Sequence, residues 1–195
     1  MTIYAFGGWN KSKIKENIQI GPLPLGVTCD NLDMSTPAGI ATGIKSCAFT
    51  AGKRESGGPK YTYGISTSGT VGPFELGITA KRTGPRFIFD NNQAMFRGDV
   101  DPGAAGGVEQ IFGKTAPAYW LVNLDARYNL GHLNPQLSQT YFQFNVYNLF
   151  NKFYVGGFGG GLSQSINATT GVWGNPPFVQ IGAPRTISGT LNVGF

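Results

Sequence analysis

Few side chains in this chain have the type and spacing to do chemistry. His132 is the single histidine. It follows Gly131 in a stretch that reads as a turn, and no serine or cysteine with a carboxylate stands where a nucleophile and base would form around it; a solvated turn histidine is the reading. Cys29 and Cys47 lie eighteen residues apart in a segment rich in Gly, Pro and Thr. With one histidine they make no metal set. In an oxidising compartment they can close a loop disulfide, and otherwise they are two unpaired thiols. Asp30, Asn31 and Asp33 resemble the start of a calcium loop, but the glycine and glutamate that such a loop needs are missing. Asp125 and Arg127 stand two apart in a strand pattern, so both face one side, where an ion pair or polar network suits them better than acid catalysis. The Gly-rich tract from Val155 to Gly161 has no strand-then-helix unit around it and makes no phosphate cradle. The chain reads as a non-enzyme with no metal and no cofactor.

Composition narrows the class. The 195 residues include 30 Gly, with 13% aromatic and only 13% charged, against about a quarter charged in average soluble domains. Mean hydropathy is -0.10, the balance expected of a sheet with one apolar and one polar face. No run approaches the ~18 apolar residues of a membrane helix, so any crossing of a bilayer is by strands. The net charge of +5 is scattered in pairs such as Lys53-Arg54 and Lys81-Arg82, which argues against nucleic acid as a partner. The opening Met1-Thr-Ile-Tyr-Ala-Phe6 shows no secretion signal, which implies a fragment, a truncated reading frame or another class of protein.

Period-2 patterning predicts six strands, roughly Thr2 to Ile14, Lys60 to Gly72, Phe74 to Asp90, Ala118 to Leu130, Gln139 to Asn151 and Arg185 to Phe195, with no helix longer than about two turns. Connections alternate long, short, long, short, long, the habit of a membrane barrel with long loops at one end and tight turns at the other. Trp120, Val122, Leu124, Phe142, Phe144, Val146, Leu191 and Val193 fall on apolar phases and are expected to face lipid. Asp125, Arg127 and Asn145 fall on polar phases and are expected to face a lumen. Trp120 to Tyr128 and Phe142 to Phe150 are each eight positions apart on one phase. At ~3.3 Å per residue and a tilt of ~40° that is about 20 Å of height, close to the separation of two aromatic girdles.

Three segments then carry a family resemblance: Tyr119-Trp-Leu-Val-Asn-Leu-Asp-Ala-Arg-Tyr128, Asn145-Val-Tyr-Asn-Leu-Phe-Asn-Lys-Phe-Tyr154 and Gly182-Ala-Pro-Arg-Thr186, the last leading into a strand that ends on Phe195. They resemble the last three strands of TonB-dependent outer-membrane receptors of the siderophore type, in order and spacing. Phe74 to Gly84 resembles an earlier strand of the same barrel. The resemblance implies an all-β fold, in which residues 1 to 195 form an antiparallel transmembrane segment of about six strands from a 22-stranded barrel, with no plug domain in this chain. It implies the bacterial outer membrane as location and energy-coupled uptake of a ferric siderophore or similar bulky nutrient. Its partners would be outer-membrane lipid, the TonB complex acting through the missing plug, and the barrel-assembly machinery, which would read Phe195. Loop aromatics Phe153, Tyr154, Phe158 and Trp173 are candidates for ligand contact or for packing on one another. Two alternatives remain at this level: a small pore made of oligomerised sheets, and a secreted β-sandwich that binds carbohydrate.

Overall fold

The computed structural model describes residues 1–97, 109–159 and 178–194. Its centre is one antiparallel sheet of six strands: β1 Thr2–Trp9, β2 Tyr61–Val71, β3 Phe74–Thr83, β4 Tyr119–Asn129, β5 Tyr141–Tyr147 and β6 Thr186–Asn192. Each strand pairs with the next in chain order, so the sheet is an up-and-down meander. It is open, with β1 and β6 as its edges, and is not a closed barrel. The all-β expectation holds, and the strands are trimmed relative to the sequence pattern by identifiable residues. Beyond Thr83 the ladder runs one bond further, from the Gly84 N–H to the Tyr61 carbonyl (2.8 Å), and stops at Pro85, which has no N–H to continue it.

The turn between β2 and β3 is two residues long, since Val71 pairs directly with Phe74. Gly72 sits at φ +58°, and a glycine in that first position followed by Pro73 is the hairpin turn whose twist matches the flanking strands. Between β4 and β5, two single helical turns, Leu130–His132 and Pro135–Leu137, are capped by the side chains of Asn129 and Asn134. Both short connections lie at one end of the meander. The three long connections lie at the other, and they are tied together. Lys60 and Gly57 donate to the Pro85 and Phe87 carbonyls (3.0 Å each), and the backbone N–H of Ser56 donates to the Asp90 carboxylate at 2.6 Å. Arg86 donates from its guanidinium to the Gly156 carbonyl at 2.7 Å and to that of Val155.

Two features of this loop end depart from expectation. Pro37–Ser46 is an α-helix (α1) of ten residues, nearly three turns and longer than the patterning allowed. Thr36 caps it, accepting from the Gly39 N–H at 3.1 Å, and Pro37 occupies the first turn where no N–H is needed. Cys47 stands at its C-terminal cap and is joined to Cys29 by a disulfide across a sequence separation of 18. The acidic residues before α1 are used locally. Asp30 accepts from the Asn17 amide at 2.7 Å, and Asp33 accepts from the Ser35 hydroxyl and N–H, which hold its carboxyl below the usual range.

The second departure is the end of β5. The pattern extends the strand to Asn151, but it ends at Tyr147, and Asn148 and Asn151 adopt φ of 52° and 49°, a left-handed conformation that asparagine tolerates better than most residues. Asn148 is buried. Its amide donates to the Lys152 and Ala183 carbonyls (2.9 and 3.0 Å), its carbonyl accepts from Lys152 N–H (2.8 Å), and its own N–H donates to Asn123 (3.0 Å). One side chain therefore ties the end of β5 to the entry of β6, while its backbone reaches β4.

Candidate functional site

Strand register sorts the sheet into two surfaces, because directly paired residues share a face. Following the pairs from β1 to β6, one face carries Ile3 and Trp9, then Tyr61, Tyr63, Ile65 and Val71, then Phe74, Leu76 and Ile78, then Trp120, Val122, Leu124 and Tyr128, then Phe142, Phe144 and Val146, and finally Ile187 and Leu191. Val193 continues the phase of Leu191. Most of these side chains are exposed: Ile65 49%, Phe142 45%, Leu191 59%. A β-sandwich would pack this face under a second sheet, and among the described residues the other sheets are two-stranded pairs in the connections.

Rings border the face at both ends. At the loop end Trp9, Tyr61, Tyr63 and Trp120 form a continuous ladder with centroid separations of 5.8, 5.7 and 5.5 Å. At the turn end Phe74 meets Tyr128 at 4.9 Å, and Phe142 is the register partner of Tyr128. Phe150, expected on the girdle opposite Phe142, instead lies in the Asn148–Asn151 turn, 73% exposed and beyond the strand. The strand phase that assigned it does not survive the left-handed Asn148.

The opposite face is polar and internally bonded. Ser66 and Thr79 hydroxyls meet at 2.9 Å, Gln143 donates to Asn145 at 3.0 Å, and Asn145 reaches the Ser188 hydroxyl at 3.5 Å. Arg127 does not pair with Asp125, two residues along its own strand. It pairs with Glu75 at 3.4 Å, its direct register partner on β3, and its guanidinium lies 4.3 Å from the centre of the Tyr141 ring. A cross-strand neighbour is nearer than the i+2 residue on the same strand. Asp125 instead lies over Gly77, where any side chain would collide with the carboxylate.

The loop aromatics do not gather into one cluster. Tyr154 packs on Tyr119 at 4.4 Å, and its ring occupies the space that a side chain at Gly182 would need. Phe158 packs edge-on against Phe112 at 6.3 Å, beside the buried pair Ile88 and Phe89. Phe153 is exposed. Trp173 and Phe195 lie outside the described residues. Sequence reasoning missed Asn148 and Arg86. The paired asparagines of Asn148-Leu-Phe-Asn151 were the available signal for the first. Nothing local marks Arg86, which is buried, stacks 5.8 Å from the Tyr119 ring and leaves its Nε without a hydrogen-bond partner.

No family model and no curated protein matches the chain. Solved structures similar to it include the ferric-catecholate import receptor Fiu from E. coli K12 in its open form, 22% identical with a TM-score of 0.41 over 69% of this chain and 15% of that one. The ferric citrate transporter FecA in its unliganded form is 19% identical, with a TM-score of 0.46 over 74% of this chain and 18% of that one. FpvA from P. aeruginosa, bound to heterologous pyoverdines, is 21% identical, with a TM-score of 0.41 over 70% of this chain and 14% of that one. The chain thus spans less than a fifth of the length of each.

Proposed function

We propose that this chain is a C-terminal portion of the β-barrel of a TonB-dependent outer-membrane receptor, acting as part of a larger protein in energy-coupled uptake of a ferric siderophore or similar bulky nutrient. One observation carries the reading: a single sheet has an exposed apolar face six strands wide, bordered by rings at both ends, and a hydrogen-bonded polar face behind it. In water such a face is a liability. In a bilayer it is the lipid-facing band of a barrel wall, and the polar face lines the lumen. The motifs around Tyr119 to Tyr154 and Gly182 to Thr186 supply the family. In this reading Trp120, Tyr128 and Phe142 belong to the girdles, and Asp125, Arg127 and Asn145 belong to the lumen wall. Phe195 is the mark read by the barrel-assembly machinery, and the three long loops face outward, where Phe153, among the described loop aromatics, is the one free to meet a ligand. The open edges on β1 and β6 are where neighbouring strands of the wall would pair, since an unpaired edge is not tolerated in lipid.

The test is uptake by the larger receptor. Cells dependent on it for ferric siderophore should lose labelled iron uptake when residues 148–185 are replaced by a short turn, or when the energy-coupling complex is disabled. Uptake untouched by both changes contradicts the proposal, as does in-frame coding sequence upstream of Met1 that contains no plug.

A further inference from the structure

The loop-end border of the apolar face holds cations as well as rings. Lys60 Nζ stands 5.2 Å from the centre of the Trp9 ring, and the Arg82 guanidinium 5.7 Å from that of Trp120. Arg82 reaches the apolar face by phase, as the register partner of both Tyr63 and Trp120. Among the described residues the ion pair, Arg127 with Glu75, is on the other face, and neither of these two positive charges at the apolar border is paired with a described carboxylate. Ring faces attract such cations, and long basic side chains at a membrane border carry their charge to the headgroup level while their stems lie on apolar surface.

Below them the face is notched. Gly7 shares the face with Trp9 and Tyr63, and an open groove of about 460 Å³ runs along Gly7, Trp9, Tyr61 and Tyr63. A second groove of about 410 Å³ lies along Thr67, Gly69, Val71, Leu76, Ile78 and Leu124 nearer the turn end. Six residues of β2 separate Tyr63 from Gly69, roughly 20 Å along the strand.

We propose that this border binds a phosphate-bearing lipid, with Lys60 and Arg82 holding the headgroup and the grooves at Gly7 and Gly69 taking an acyl chain. The inference rests on the membrane reading above. Charge complementarity selects an anionic over a zwitterionic headgroup, and the apolar grooves select a lipid over free phosphate.

The test is to fold the larger receptor that carries this chain into phosphatidylcholine vesicles containing phosphatidylglycerol, extract it in mild detergent, and weigh the lipids it retains by native mass spectrometry, with every substitution made in this chain's residues. Each basic residue near an anionic surface contributes about a fivefold preference. The K60Q/R82Q variant should therefore lose about 25-fold of the phosphatidylglycerol enrichment, while K60R/R82K and R127Q keep it. Equal enrichment in the unsubstituted chain and K60Q/R82Q, or equal loss in R127Q, overturns the proposal. Entry into vesicles, followed by protease protection, separates the two readings: entry without headgroup preference overturns this proposal alone, and failure to enter overturns it together with the membrane reading.

Discussion

The loop end and the sheet handle apolar side chains in opposite ways. Of the buried hydrophobic residues among those described, Cys29, Cys47, Ala48, Ile88, Phe89, Ala116 and Val155 all belong to the connections, and only Val146 lies in the six-stranded sheet. Phe89 is 2% exposed, whereas Ile187, Leu191 and Val71 in the sheet are 61, 59 and 69% exposed. The connections thus fold as a water-soluble layer would, with a small core, a disulfide and a buried asparagine. The sheet turns most of its apolar side chains to one face, which Arg82 shares at the border, and keeps most of its hydroxyls, amides and charges on the other, where Tyr4, Phe6 and Leu121 also lie. Each region is sensible in its own solvent, which for the apolar face, on the function proposed above, is hydrocarbon.

Breaking the sheet side of that contrast should have the largest effect. Leu124→Arg, in the middle of the apolar face, should cost about 2 to 4 kcal/mol of stability in a bilayer. Thr190→Gln, at an exposed position of the polar face, should cost far less, because its surroundings are already polar. Urea titration of the larger receptor carrying each substitution, folded into vesicles, checks the pair. Equal costs would mean the faces do not differ in solvent.

On the loop side, loss of the disulfide should have the next largest effect. Replacing Cys29 and Cys47 with serine releases a loop of 18 residues, worth about 3 kcal/mol of unfolded-state entropy. The loss should appear as proteolysis within residues 29–47 while the sheet's circular dichroism is kept. A collapse of the whole sheet would show that the layers are not separable.

A smaller effect is expected at the junction. Asn148→Ala removes three side-chain hydrogen bonds from a buried site and places alanine at φ 52°, costing about 2 to 3 kcal/mol. The denaturation midpoint should fall, and proteolysis should begin at the entry to β6. Asn148→Gly, which adopts φ 52° without strain but makes no side-chain bonds, should recover only the backbone part of the loss. The smallest effect belongs to Arg127→Gln. The pair it forms with Glu75 is 42 and 52% exposed, so its removal should change stability by no more than about 1 kcal/mol.

What the sequence made legible follows the same division. A strand's two faces repeat every second residue, so the apolar phase of Trp120 to Tyr128 and Phe142 to Val146 is visible in one dimension. Partners across strands are not, since they depend on register. The sequence places Asp125 beside Arg127, and the fold gives Arg127 to Glu75, 52 residues away. Helix α1 was readable in principle from Thr36-Pro37, but a helix of ten residues inside a Gly- and Pro-rich loop gives a weak periodic signal. Asn148 was hidden by the apolar phase that continues through Phe150, which describes a strand the left-handed asparagine ends. The disulfide depended on how α1 brings its C-terminal end back toward residue 29, so both states of the cysteines stayed open.

The most direct measurement is of what touches the apolar face. With Trp173 and Trp9 replaced by Phe, Trp120 becomes the remaining tryptophan. The larger receptor carrying these substitutions, its other tryptophans likewise replaced by Phe, is folded into vesicles whose acyl chains are brominated near the headgroup or near the bilayer centre. Lipid contact at the girdle predicts strong quenching of Trp120 by the shallow bromines, weaker quenching by the deep ones, and the same pattern at a Phe142→Trp probe in a Trp120→Phe background. Emission from Trp120 that no brominated lipid quenches, in protein shown to be folded and vesicle-bound, would contradict the account.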